Sequence, residues 1–223
     1  MPINAETYLR VRDELAAAKV TLVAVSKTKP VEDIQALYDL GHRDFGENYV
    51  QELADKATHL PADIRWHFIG HLQSNKVKYI APFVSLIHGV DSVKLLQEIN
   101  KQALKNNRVI DCLLQVHIAS EETKFGFDDH SLQEALPGLT SAHAPFTGIR
   151  ICGLMGMASF TEDEQQVKQE FAHLKQLFSH TKKQMPLPDQ FSILSMGMSS
   201  DYRLAIAEGS TMVRIGSLLF GVR

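Results

Sequence analysis

Short apolar runs rich in Val, Ile, Leu and Phe recur along the chain at residues 21–28, 44–49, 66–72, 84–90, 111–119, 147–158, 191–198 and 212–220. Between them the pattern changes period. Segments 32–40, 49–57, 73–80, 92–106, 131–136, 162–179 and 200–208 carry their apolar residues at helical spacing. Two of these have start signals: Asp91-Ser92 precedes Val-Lys-Leu-Leu, and Thr161 is followed three residues later by Glu164, the spacing of a capping box. Strands that alternate with helices predict a parallel sheet, because each parallel crossover must cover the sheet with a helix. Eight such units in 223 residues predict one (β/α)8 TIM-type barrel, preceded by an extra helix over 7–18. No low-complexity or Pro/Gly/Ser-rich linker divides the chain, so residues 1–223 read as a single domain. A doubly wound open sheet is the runner-up. Its glycine fingerprint is missing, since the first strand runs into Ser-Lys-Thr-Lys-Pro.

Composition narrows the function classes. No apolar run approaches the ~20 residues that cross a bilayer. The opening Met-Pro-Ile-Asn-Ala-Glu lacks the basic and apolar segments of a signal peptide, so a cytoplasmic protein without a membrane partner is expected. A formal charge of −3 with scattered Lys and Arg argues against nucleic acid, whose backbone demands concentrated positive charge. Lys182-Lys183 and the pair Lys76 and Lys78 read as solvated helix faces. Cys112 and Cys152 fall in apolar stretches and read as buried thiols; two cysteines make no disulfide framework or metal cluster.

In a barrel the chemistry gathers at the C-terminal strand ends. The first run ends in Ser26-Lys27-Thr28-Lys29. A lysine closing an apolar strand is either a rim residue that snorkels to water or a desolvated nucleophile. The seventh run ends Leu-Ser-Met-Gly-Met-Ser-Ser-Asp at 194–201, and the eighth reads Met-Val-Arg-Ile-Gly-Ser at 212–217. Either alone is an ordinary turn with Ser199, Ser200 or Asp201 capping a helix. Together, after strands seven and eight, they supply the hydroxyls, glycines and free N–H groups of a phosphate site. Arg214 alternates with Met212 and Gly216, which predicts that it faces the barrel interior. There it needs an acceptor, a structural carboxylate or the ring nitrogen of a bound pyridine. An imine-forming amine, a phosphate cradle and a ring-nitrogen donor are the three demands of pyridoxal 5'-phosphate (PLP); a sugar-phosphate aldolase needs only the first two.

Other candidates are weaker. His67 and His71 have an H-x-x-x-H spacing, but on a strand-like Phe-Ile-Gly they read as a polar lining of the mouth, with no metal. Lys124 reads as a solvated loop lysine or an anion contact. Met155, Met157, Met196 and Met198 read as barrel packing, with Met155 and Met157 late enough in their strand to touch a ring.

Six segments carry a resemblance: Val-Ser-Lys-Thr-Lys-Pro at 25–30, Phe-Gly-Glu-Asn-Tyr at 45–49, His-Phe-Ile-Gly-His-Leu-Gln-Ser-Asn-Lys at 67–76, Gly-Leu-Met-Gly-Met at 153–157, Leu-Ser-Met-Gly-Met-Ser at 194–199 and Val-Arg-Ile-Gly-Ser at 213–217. In this order they resemble the pyridoxal phosphate homeostasis protein family. The resemblance implies a barrel of the alanine racemase N-terminal type, with Lys27 holding PLP as a Schiff base. It implies phosphate contacts from Ser195, Gly216 and Ser217, Arg214 near the pyridine nitrogen, and Asn48 and His67 lining the mouth. Position 217 is Ser where the family commonly has Thr, which keeps the hydroxyl.

The resemblance further implies a cofactor carrier or regulator of vitamin B6 and amino-acid pools, with no established turnover. Related racemases add a β-rich domain that supplies a tyrosine across a dimer interface. This sequence ends at Gly221-Val222-Arg223, so the second acid/base is expected to be missing and a monomer is expected. An arginine facing the ring nitrogen also weakens the ring as an electron sink. The expected partners are PLP and PLP-dependent apo-enzymes. The alternative is a low-activity racemase or Schiff-base aldolase that uses Lys27.

Overall fold

The computed structural model describes residues 3–120, 125–140 and 146–221. Each of the eight apolar runs contributes a strand: β1 Thr21–Val25, β2 Asp44–Glu47, β3 Arg65–Phe68, β4 Leu86–Val90, β5 Ile110–Gln115, β6 Ile149–Met155, β7 Ile193–Ser195 and β8 Met212–Ile215. They pair in sequence order, all parallel, and β8 returns to β1, which closes the barrel. The helices are α1 Ala5–Ala17, α2 Val31–Asp39, α3 Val50–His59, α4 Val77–Ile80, α5 Val93–Lys105, α6 Asp129–Thr140, α7 Glu164–Gln184, α8 Tyr202–Ala207 and α9 Ser217–Phe220, with one 3₁₀ turn at Ser74–Lys76. Closure leaves no sheet edge, so every strand is covered.

Two apolar layers hold this arrangement. The larger lies between helices and sheet. Helix α7 turns Val167, Phe171, Leu174 and Phe178 inward at alternating spacings of four and three. Each such side chain contributes ~1.5–3 kcal/mol on burial. The smaller layer fills the barrel itself with Val23, Leu86, Leu113, Cys152, Met155 and Met212. Below it, at the N-terminal strand ends, Arg65 pairs with Asp44 and Arg150 with Asp111 across neighbouring strands. Cys112 and Cys152 are buried free thiols, and desolvation pushes Cys152 up to about 11, so both are inert packing.

Several expected boundaries move. Ser92 caps α5 by accepting from Leu95 N, as its sequence predicts. The capping box expected at Thr161 does not form. Asp163 caps α7 instead, accepting from the N–H groups of Gln165 and Gln166, while Thr161 Oγ1 accepts from Asp163 N. A carboxylate nearer the first turn is the stronger acceptor for the helix's open donors. The run at 66–72 stops being strand at Phe68 because Gly70 must pass close to the Asn48 backbone: a Cβ at Gly70 would lie 2.3 Å from Asn48 O.

Candidate functional site

A cavity of about 470 Å³ opens at the C-terminal end of the barrel. Its walls come from the two ends of the described chain. One side is Val25, Lys27 and Lys29 after β1, with Asn48 after β2 and Ile69 after β3. The other is Ser199 and Ser200 after β7, then Arg214, Gly216 and Ser217 around the end of β8. Met157, Phe160 and Met198 add an apolar flank.

Lys27 is held by what surrounds its neighbours. Ser26 is fully buried, and its hydroxyl donates to Glu47 Oε1 at 2.6 Å. Lys56 Nζ donates to Ser26 O (2.8 Å), to Glu47 Oε1 (2.8 Å) and to Glu52 Oε1 (2.6 Å). Thr28 takes φ +63° and gives its N–H to the same Glu52 carboxylate. The left-handed turn at Thr28 is therefore fixed from both flanks. Burial pushes the Glu47 carboxyl up, with the Lys56 cation pulling it down. Lys29 reaches across to donate to Phe220 O (2.9 Å) and Gly221 O (3.3 Å), which ties the last described residues to the mouth.

The opposite wall is built from turns. Gly197, at φ +97°, lets the chain turn between β7 and α8, and a Cβ there would meet Ala205 at 2.6 Å. Gly216 donates its N–H to Ser199 Oγ at 3.3 Å, which joins the two serine-bearing turns. Asn48 presents a buried Oδ1 with no partner among the described residues. A buried amide oxygen left unanswered on a cavity wall points to a ligand that completes it.

Five of the residues singled out in the sequence meet at this cavity: Lys27, Asn48, Arg214, Gly216 and Ser217. Ser195 and His67 are not on its wall. Ser195 is fully buried beneath it, its hydroxyl engaged by Arg214 and His88. His67 lies inside the barrel against His88 and Asp44. Nor do His67 and His71 share a face. His71 lies beyond the end of β3, stacks on Phe125 with centroids 4.0 Å apart and pairs with Asp91 at 3.1 Å. The structural carboxylate considered for Arg214 is not among its hydrogen-bond acceptors in the described residues. Arg214 donates to Ser195 and to Gly156 O. Of the methionines, Met157 and Met198 reach the cavity, while Met155 and Met196 are packing. Lys124 lies outside the described residues. Sequence reasoning missed the Glu47–Lys56 support and His88; a glutamate in Phe-Gly-Glu and a histidine in Leu-Ile-His-Gly, polar residues inside apolar runs, were the available signals.

Comparison with known proteins places this geometry. Residues 5–223 match the family described as alanine racemase, N-terminal domain. The chain is 42% identical over 205 residues to the pyridoxal phosphate homeostasis protein of Aquifex aeolicus, covering 91% of this chain and 86% of that one. PipY of Synechococcus elongatus, solved without PLP, superposes with a TM-score of 0.89 at 37% identity over 97% of this chain and 99% of that one. The same protein with PLP bound gives a TM-score of 0.86 at 36% identity over the same shares. Barrel, cavity and sequence therefore agree that this chain belongs to the pyridoxal phosphate homeostasis protein family, built on the alanine racemase N-terminal domain.

Proposed function

We propose that the chain binds PLP reversibly through a Schiff base on Lys27 and serves as a carrier in intracellular vitamin B6 and amino-acid homeostasis, passing the cofactor as a monomer to apo-enzymes. The observation that carries this reading is the composition of the cavity wall. Its titratable side chains among the described residues are Lys27, Lys29 and Arg214, all basic, and Lys29 is tied to backbone carbonyls. Lys27, which follows the apolar strand β1 onto this wall, brings a primary amine to the cavity, and no carboxylate, imidazole, phenol or thiol among the described wall residues stands by to move a substrate proton.

When bound, PLP supplies an aldehyde, an electron-poor ring and a phosphate. Lys27 would hold PLP through its aldehyde, its Nζ supplying an amine that condenses with loss of water and is released again by hydrolysis. Ser199, Ser200, Ser217 and the Gly216 backbone offer hydroxyls and close backbone approach on the phosphate side. Gly216 is tight already, since a Cβ there would stand 3.1 Å from Val25 O. Arg214 brings a cation to the same wall, which disfavours protonating a pyridine nitrogen. That the PipY structure carries PLP supports the assignment.

The test is optical. Purified protein with one equivalent of PLP is expected to show a visible absorption band that borohydride bleaches while fixing a pyridoxyl group on the Lys27 peptide, and Lys27→Ala is expected to lack both the band and the label. The band should move to an added apo-enzyme. Sustained racemisation or cleavage of an amino acid that Lys27→Ala loses would instead make the chain an enzyme.

A further inference from the structure

Below the cavity floor a line of buried polar groups crosses the barrel interior, and the binding described above uses only its first member. Arg214 Nη1 donates to Ser195 Oγ at 2.6 Å and to Ser195 O at 3.0 Å, and Nη2 donates to Gly156 O at 3.1 Å. Ser195 Oγ lies 3.2 Å from His88 Nδ1. His88 Nε2 lies 3.0 Å from His67 Nδ1, and His67 Nε2 lies 3.0 Å from Asp44 Oδ1. Ser195 and His88 are fully buried, and His67 and Arg214 are each 4% exposed. Asp44 is gripped in turn by Arg65 at the N-terminal end of the barrel.

With both rings neutral, one arrangement of protons satisfies every contact. A guanidinium only donates, so the Ser195 oxygen accepts from it and keeps its single hydrogen to offer to His88 Nδ1. With Nδ1 an acceptor, neutral His88 carries its proton on Nε2 and gives it to His67 Nδ1. His67 must then carry its own proton on Nε2, facing Asp44, and a carboxylate only accepts. Reversing the order would turn the bare Nε2 lone pair of a neutral His67 onto the Asp44 carboxylate. Burial, above all, holds His88 well below its ordinary 6.5, so it is the neutral ring that stands in this line. Burial opposes the charge on Asp44, but hydrogen bonds from His67 and Arg65 outweigh it and keep the carboxylate ionised.

We infer that Ser195, His88 and His67 are positioning residues for Arg214, joining the pocket's buried cation to Asp44 through a hydrogen-bonded relay of fixed direction. The O–H and N–H dipoles of the relay turn their negative ends toward the guanidinium and their positive ends toward the carboxylate. They hold Arg214 in place and favour its charge in a site where desolvation pulls it down to about 10. Arg214 is thereby presented as a fixed cation to an acceptor atom of whatever fills the cavity. The consequence for PLP rests on the function proposed above; the proton arrangement does not.

The experiment therefore has two arms. In the first, long-range ¹H–¹⁵N NMR of the protein without PLP reads the two imidazoles directly. Both are expected as Nε2–H tautomers at neutral pH, and Ser195→Ala is expected to shift the His67 ring nitrogens, although of the two rings Ser195 touches only that of His88. A His88 protonated on Nδ1, or a His67 signal unmoved in Ser195→Ala, overturns the relay. In the second arm, PLP is titrated optically. Ser195→Ala and His88→Leu are expected to weaken binding about tenfold or more. His88→Gln, whose amide can accept from Ser195 and donate to His67, is expected to restore most of it. Equal weakening by Gln and Leu would reduce His88 to packing and overturn its positioning role. If the unmodified protein binds no PLP, the proposed function fails while the tautomers still decide the relay.

Discussion

Lys56 is a buried cation that touches three oxygens, and its loss should be felt in two ways. Replacing it by Met leaves Glu47 fully buried without its counter-charge. Breaking a buried pair from one side costs about 3–5 kcal/mol, so a shift of that size is expected in urea unfolding of Lys56→Met. Because Lys56 also holds the Ser26 carbonyl, the same variant is expected to bind PLP more weakly than the parent. At this scale the sequence was legible where a residue's place in a strand decides its neighbours. Lys27, Asn48, Arg214, Gly216 and Ser217 all stand at strand ends, and strand ends converge on one mouth. Ser195 and His67 stand one layer lower, a depth set by barrel tilt and register rather than by sequence pattern. Glu47 and His88 escaped notice because a polar residue in an apolar run gains meaning only once its partner on another strand is known.

Strand β4 carries a pH dependence. Between its depressed value in the folded chain and the ordinary 6.5, His88 stays neutral when folded and takes up a proton when unfolded. The unfolded state then binds more protons, so stability rises with pH and is lost as pH falls below 6.5. Buried His42 acts in the same sense and Glu47, held up by burial, in the opposite one. The comparison that isolates β4 is with His88→Gln. Between pH 6.5 and 5 the parent is expected to lose up to about 1.4 kcal/mol more per pH unit than this variant, measured by urea unfolding at each pH. Element identity was legible for the eight strands and the helices between them, since the change of period survives local detail, whereas the short helix α9 at Ser217–Phe220 lay hidden inside the apolar run at 212–220. Element ends were not legible. The start of α7 was decided by competition between Thr161 and Asp163 as caps, and the end of β3 by the approach of Gly70 to a neighbouring strand.

At the scale of the whole molecule, the barrel itself was predictable because eight alternations with no dinucleotide fingerprint leave few ways to cover a parallel sheet. Ligand binding should report on that whole. With PLP at a hundred times its dissociation constant, binding adds about 2.7 kcal/mol to stability, which raises Tm by roughly 5–10 °C for a chain of this size. Scanning fluorimetry with and without PLP checks this, and Lys27→Ala is expected to lose most of the shift. The Lys29 clasp on Phe220 and Gly221 spans 191 and 192 residues of sequence. A cavity walled by residue 27 on one side and residue 217 on the other has no partial form. Translation lays down the wall at residue 27 long before the wall at residue 217, so a growing chain carries one side of the cavity without the other. On the function proposed above, colour from captured cofactor would mark a barrel that has been finished.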